Sequence, residues 1–364
     1  MTKLNYIRTQ LNSPFSTPDF LDKSYYPSLD GWRAVAVVLV IGEHLKNNIG
    51  SNSIYAKIAS LVFFGRLGVD IFFVLSGFLI TSILLKEKIK TGKINIGRFF
   101  LRRVLRIFPV LYLYLICCFL LNQFFQPNIA YISFIWPAIC VSNIIYSDPM
   151  LAHTWTLSVE EQYYLFWPVT LNFFKYPVLL YLVLIILLPI AKIIIYYNST
   201  NFNVYFEHIY IPATTILTGS IAAIISFKKI IQQTYFKASL FIISILLVFI
   251  IFYLQNHGLF GIIMLPFGTL ISNLLIAYAI IYSLNCQEHT VVKFLNHPIT
   301  IKIGLTSYSI YIWQQLFLQP NGTYHQWQKL AFFPVNLLLI GVKSYLSYHY
   351  YEGYFLRLKV KYIK

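Results

Sequence analysis

Long apolar runs separated by short polar stretches dominate this chain. Segments long enough, or nearly long enough, to cross a bilayer fall at about 31–49, 60–85, 104–125, 131–147, 157–174, 177–197, 209–227, 238–254, 259–283, 302–320 and 330–350. A spanning helix needs about 20 residues. The pattern therefore predicts an all-α fold, a polytopic transmembrane helix bundle drawn from eleven candidate segments.

The basic residues reduce the count by one. Residues 86–106 carry Lys86, Lys88, Lys90, Lys93, Arg98, Arg102, Arg103 and Arg106 against a single acid, Glu87. Positive charge concentrates on the cytosolic side of a membrane protein, so this loop is expected inside. The tail, with Arg357, Lys359, Lys361 and Lys364, is expected inside too. So is the N-terminus, two spans before the basic loop. Both ends inside requires an even number of crossings. The segment 131–147, YISFIWPAICVSNIIYS, is the one to exclude. It is short, Pro137 stands at its centre, and it carries Ser142 and Asn143. With that segment re-entrant or interfacial, about ten crossings remain. Lys175, Lys228, Lys229, Lys237 and Lys293 then fall inside, and the Lys- and Arg-free loop 198–208 falls outside. The polar stretch 153–162 begins on the outer side.

Composition supports a membrane protein. Of 364 residues, 58% are hydrophobic and only 11% charged, against about 25% charged in a soluble domain. The net charge of +16 is explained by topology and by anionic lipid, and no nucleic-acid-binding motif accompanies it. Residues 1–28 are polar and show no cleavable signal peptide. Cys117, Cys118, Cys140 and Cys286 lack metal-ligand spacing and read as packing residues. The histidines are scattered, so no metal site is expected. No internal repeat or appended soluble domain is evident.

Four stretches carry unusual polar groups. In LDGWRAVAVVLVIGEH, residues 29–44, Arg33 and His44 are eleven positions apart. On a helix that is about 16 Å and almost three complete turns, so both share one face. Either they snorkel and cap at the two ends of a span, or they face a cavity. Histidine is the side chain best suited to proton transfer near neutral pH. In GRLGVDIFFVLSGFLIT, residues 65–81, Gly68, Ser76 and Gly77 permit close helix contact. Asp70 could orient the His44 imidazole or pair with Arg66. In RFFLRRVLRIFP, residues 98–109, Arg103 and Arg106 project from one helix face, a spacing suited to phosphate. In HTWTLSVEEQYYLFWP, residues 153–168, Ser158 and Glu161 resemble a capping box. That leaves Glu160 as the functional carboxylate.

In this order these stretches resemble the membrane-bound acyltransferase-3 family, bacterial O-acyltransferases that modify surface polysaccharides and other extracytoplasmic acceptors. GLTSYSIYIWQQLFL, residues 304–318, and YHYYEGYFLRLK, residues 348–359, resemble two later motifs of the same family, extending the likeness over about 29–359. Two positions depart from the family pattern. Gln314 stands where histidine is frequent, and Tyr354 where proline is frequent after the final glutamate, Glu352. Gln314 is accordingly left outside the catalytic set. The resemblance implies a transmembrane acyltransferase domain 29–356 without an esterase-like extension, and the basic residues place the segment 1–28 and the tail 357–364 on the cytosolic side.

It further implies a bacterial cytoplasmic-membrane enzyme that moves an acyl group, typically acetyl, from cytosolic acyl-CoA to a hydroxyl of a glycan. No permanently bound cofactor is expected; acyl-CoA is a substrate. The partners are the donor, the glycan acceptor and the bilayer. His44 is expected as general base or covalent acyl relay, oriented by Asp70 or Glu160, with Arg33, Arg103 and Arg106 on the coenzyme A phosphates. Tyr324 and Trp327 could stack on a sugar, although interface aromatics are the commoner case. A transporter or flippase without chemistry is the rival from another class, and a degenerate structural member is a third. Cysteine labelling tests the topology: Ser147 should react from outside and Lys228 from inside, and inside labelling at Ser147 refutes ten crossings.

Overall fold

A computed structural model describes residues 3–48, 59–125, 128–145, 148–173, 203–231, 233–259, 264–318 and 332–362, with a few isolated positions besides. The segment expected at 177–197 and the aromatics Tyr324 and Trp327 lie outside the described residues. The principal helices are α1 (Lys3–Asn12), α2 (Pro27–Asn48), α3 (Gly65–Thr91), α4 (Ile96–Phe125), α5 (Trp155–Phe173), α6 (Asn203–Phe227), α7 (Ala238–Asn256), α8 (Thr269–Asn285), α9 (Pro298–Leu305), α10 (Ser307–Gln314), α11 (Val335–Leu346) and α12 (Gly353–Tyr362). No strand occurs among the described residues. The protein is an all-α membrane protein. Ala59–Thr91, Ile96–Phe125 and Ala238–Asn256 are each long and apolar enough to cross a bilayer.

Local chemistry explains the helix ends. In α2, Pro27 is the first helical residue, Asp30 sits in the first turn and Lys46 in the last. Proline needs no amide partner at that position, and the two charges complement the helix dipole. Lys88 and Lys90 do the same at the end of α3. Gly92 follows with φ +78°, its amide donating to the Lys88 carbonyl over 2.9 Å, a left-handed closure that glycine adopts without strain. Asn95 then caps α4, its side chain accepting from the Arg98 amide over 2.9 Å. The expected basic loop 86–106 is thus a tight turn at residues 92–95. Most of its charges stand on the flanking helix ends, because the helices continue beyond their apolar stretches.

Residues 131–145 form no continuous helix. A 3-10 turn, Tyr131–Phe134, leads into a four-residue helix, Ile135–Ala138, and Cys140 takes a φ of +56°. Such short pieces cover well under the about 30 Å of a hydrocarbon core. The segment is pinned instead to α5. Asn143 and Gln162 exchange amide hydrogen bonds of 3.1 and 2.8 Å, and Gln162 also donates to the Cys140 carbonyl over 2.9 Å. The Ser142 amide donates to the Ser158 hydroxyl over 3.2 Å.

The described residues group into two compact units. The first comprises Met1–Arg33, Asp70–Ile94 and Tyr163–Ile301. Here α3 and α6 cross at reciprocal glycines: a methyl on Gly77 would meet the Ile216 carbonyl, and one on Gly219 the Val74 carbonyl. This close approach, which the small residues of α3 suggested, brings polar groups into register. Ser220 donates to the Gly77 carbonyl over 3.1 Å, and its hydroxyl pairs with that of Tyr163 at 2.7 Å. Ser76 bonds Tyr164, and Trp167 donates to Thr81 over 2.9 Å. Asn273 of α8 donates to Thr215 of α6 over 2.9 Å, and Trp32 of α2 to Ser283 over 3.1 Å. The N-terminal segment is strapped to the end of α6. Lys228 bonds the Ser13 carbonyl and lies over the Phe15 ring at 4.4 Å, and Tyr6 donates to the Lys229 carbonyl over 3.0 Å.

The second unit comprises Ala34–Val69, Asn95–Gln162 and Lys302–Lys364. Gly68 lets the start of α3 lie against the Ala36 carbonyl of α2. Its core is built from α4, α5 and α10, with Val110, Leu111, Tyr114, Cys118, Leu151 and Ile312 all buried. Tyr114 donates to the Met150 carbonyl over 2.6 Å, and Tyr308 to the Ile107 carbonyl over 2.8 Å. The glycine crossing is open to a direct test. Gly219→Ala should cost about 2 kcal/mol or more through forced separation. Gly341→Ala, where nothing lies within 4 Å of the added methyl, should stabilise α11 by up to about 1 kcal/mol. Thermal midpoints of the two variants in detergent should therefore move in opposite directions.

Candidate active site

The second unit gathers most of the side chains that the sequence nominates. His44 lies near the end of α2, partly buried, and no described side chain hydrogen-bonds its imidazole. Its neighbour Glu43 is paired with Lys46 at 2.7 Å. His44 lies within electrostatic reach of His153, the residue that opens the stretch HTWTLSVEEQ between a one-turn helix, Pro149–Ala152, and α5.

His153 is a residue that sequence reasoning missed. It was quoted only as the first letter of a motif, and its surroundings are tertiary. The ring stands edge-on to Tyr114 at 5.2 Å and tilted against Tyr311 at 5.6 Å. Tyr311 donates to the His153 carbonyl over 2.9 Å, and its hydroxyl pairs with that of Thr156 at 2.8 Å. Both ring nitrogens of His153 are buried without a hydrogen bond of good geometry. The Ile312 backbone acts on the ring and favours the proton, less than burial and His44 oppose it. Burial foremost, and then the proximity of His44, hold its pKa down to about 3, so the imidazole is neutral at physiological pH.

Helix α5 begins at Trp155, one turn earlier than the capping-box reading requires. Ser158 is an interior residue whose hydroxyl donates to the Thr154 carbonyl over 3.2 Å. Glu161 therefore caps nothing. It lies within electrostatic reach of Arg103, with one carboxylate oxygen buried and unbonded. Glu160, the preferred carboxylate, is half-buried and within electrostatic reach of Tyr308 and Tyr311. Glu352 is buried after α11. It accepts from Ser309 in a short bond and from Ser347 over 3.4 Å, with Arg106 within electrostatic reach. The two arginines nominated for phosphate thus each stand near a carboxylate. The glutamate of the last motif, assigned no role from the sequence, holds together α10 and the segment that follows α11.

Arg33 and Asp70 belong to the first unit. Arg33 forms an ion pair with Asp30, three residues back, at 2.6 Å. The guanidinium has five donors, so this pair leaves others available. Asp70 is almost fully buried within α3.

Two further polar side chains complete the second unit. Gln314, the last residue of α10, is fully buried, and neither its amide nitrogen nor its oxygen has a partner. The indole nitrogen of adjacent Trp313 is buried and unbonded as well, while its ring packs on Tyr114 at 5.6 Å and under Lys343 at 4.5 Å.

Residues 26–357 match a protein family described as an acyltransferase domain. An O-acetyltransferase OatA of Staphylococcus aureus (strain NCTC 8325 / PS 47) is 31% identical over 368 residues, covering 90% of this chain and 57% of that protein. A peptidoglycan O-acetyltransferase OatA of Listeria monocytogenes serovar 1/2a is 37% identical over 169 residues, covering 42% of this chain and 25% of that protein. The chain thus spans little more than half the length of the first of these relatives. No solved structure matches.

The Tyr311 hydroxyl is the group that fixes the loop at His153. Tyr311→Phe removes both of its bonds to the loop and leaves the His153 carbonyl held by Thr156 alone, whose hydroxyl donates to it over 3.2 Å, at a cost of about 0.5–1.5 kcal/mol per lost bond. A lowered thermal midpoint in detergent, with secondary structure retained by circular dichroism, is the expected result.

Proposed function

The chain belongs to the acyltransferase-3 family, and from that premise we propose that it is an integral membrane O-acyltransferase. It moves an acyl group, acetyl by likeness to its relatives, from acyl-CoA to a hydroxyl of a cell-surface or exported glycan. The observation that carries this reading is the convergence, within one unit, of His44 with the HTWTLSVEEQ segment: an imidazole that no described side chain hydrogen-bonds lies within electrostatic reach of His153, with Tyr311 and Glu160 in the same unit.

In this reaction the acceptor hydroxyl loses its proton to His44 as its oxygen attacks the thioester carbonyl carbon. The carbon–sulfur bond breaks, and the proton passes to the departing thiolate. Attack by His44 itself, followed by transfer from an acyl-imidazole to the hydroxyl, uses the same groups. Glu160, in the same unit, is the carboxylate proposed to orient His44. Arg103 and Arg106 meet the coenzyme A phosphates. A guanidinium presents its five donors in a planar fork, a geometry that matches phosphate.

The topology of the proposal is ten crossings with both termini cytosolic, in the bacterial cytoplasmic membrane. Contact between the N-terminal segment and Lys228 and Lys229 supports it, since both were expected on the same side.

Purified protein in lipid nanodiscs, supplied with labelled acetyl-CoA and peptidoglycan fragments, tests the reading. The wild type should acylate the acceptor, and His44→Ala should lower the rate by about 10²–10⁴-fold while inserting normally. Arg103→Ala should act mainly by raising KM for the donor. Transport of label or sugar without acyl transfer supports the rival reading and refutes this one.

A further inference from the structure

Buried polar atoms are almost always bonded, and each one left over costs about 1–3 kcal/mol. Around the end of α10 the second unit leaves several unbonded together. They are both amide atoms of Gln314, the indole nitrogen of Trp313 and both ring nitrogens of His153. These are connected positions. Tyr311 and Gln314 are three apart and adjacent on one helix face. Tyr311 packs against the His153 ring and binds its carbonyl, and the Ile312 backbone approaches that ring. Gln314 is 0% exposed, so bulk water does not satisfy it. The set is uncharged and rich in donors: the amide NH2 and the indole N–H, beside an imidazole that the Ile312 backbone approaches. Such a set suits a neutral acceptor group that gains negative charge during reaction, rather than a phosphate.

We propose that the Gln314 amide is the oxyanion donor of the acyl-transfer step, hydrogen-bonding the carbonyl oxygen of the acyl group. His153 is a positioning residue beside it. The inference rests on the acyl-transfer reading. As the hydroxyl oxygen bonds to the carbonyl carbon, the C=O electron pair moves onto oxygen, and the Gln314 N–H group stabilises that charge. The pair then returns as the carbon–sulfur bond breaks, expelling thiolate, and the hydroxyl proton held by His44 passes to the sulfur. A donor aimed at an oxyanion acts chiefly in the transition state, with effects of about 10²–10³-fold on kcat. Gln314 therefore belongs among the reacting groups, although it cannot carry a proton as histidine does.

The test uses the full chain in nanodiscs with acetyl-CoA and peptidoglycan fragments. Gln314→Met and Gln314→Leu replace the amide with apolar groups of similar size. Because the amide is unbonded, both should keep or raise the thermal midpoint. Their kcat should fall by about 10²-fold or more, with the KM for acetyl-CoA changing by less than about threefold. A folded variant with wild-type kcat overturns the proposal. So does a loss confined to KM, which marks ordinary substrate binding. Unfolding of both variants overturns it too, because the amide would then be holding the fold. Failure of the wild type to transfer acetyl refutes the underlying reading instead, and is recognised before any variant is compared.

Discussion

Inside a helix bundle that faces lipid, a polar side chain has no water to turn to, so it must be bonded by protein or by something the protein binds. This constraint orders the whole structure. In the first unit the glycine crossing of α3 and α6 brings helices close enough for Ser76, Thr81, Tyr163, Tyr164, Trp167 and Ser220 to bond one another. The polar atoms left over there, such as the Ser82 hydroxyl and one oxygen of Asn273, are single atoms. In the second unit whole functional groups are left: all of His153 and all of the Gln314 amide. The first pattern is that of a scaffold. The second is the pattern on which the oxyanion proposal rests.

The carboxylates follow the same logic. Glu161 near Arg103 and Glu352 near Arg106 each keep an opposite charge within reach, which offsets part of the cost of burying them. Glu352 also gathers Ser309 and Ser347. The two arginines therefore serve the fold as well as any donor phosphate. Substituting either one alters the neighbouring acid along with the positive charge.

What could be read from the residues was whatever depends on neighbours along the chain. The long apolar runs marked α2, α3 and α4, and Pro137 with Ser142 and Asn143 marked a segment that does not continue as a helix. Gly77 marked a close crossing, though its partner Gly219 was invisible because it lies far away in sequence. Helix ends were less legible. The apolar pattern stops before α3 does, so residues 86–106 looked like a loop, and the Ser158–Glu161 spacing imitated a cap that the earlier start at Trp155 displaces. His153 and Gln314 were hidden for another reason. Their distinction is the absence of a bonding partner, which only the packing of α4, α5 and α10 reveals.

The amide clasp between Asn143 and Gln162 has a consequence beyond fastening a broken segment to α5. A helix turns about 100° per residue, so Glu160, Glu161 and Gln162 point in three different directions. Holding Gln162 sets the rotational phase of α5 and with it the bearing of both acids. A single-residue slip at the clasp would carry Glu161 off Arg103 and swing Glu160 round toward the bearing that Glu161 holds now. The irregular stretch that leaves the membrane pattern is thus the index mark that tells two adjacent, chemically identical carboxylates apart.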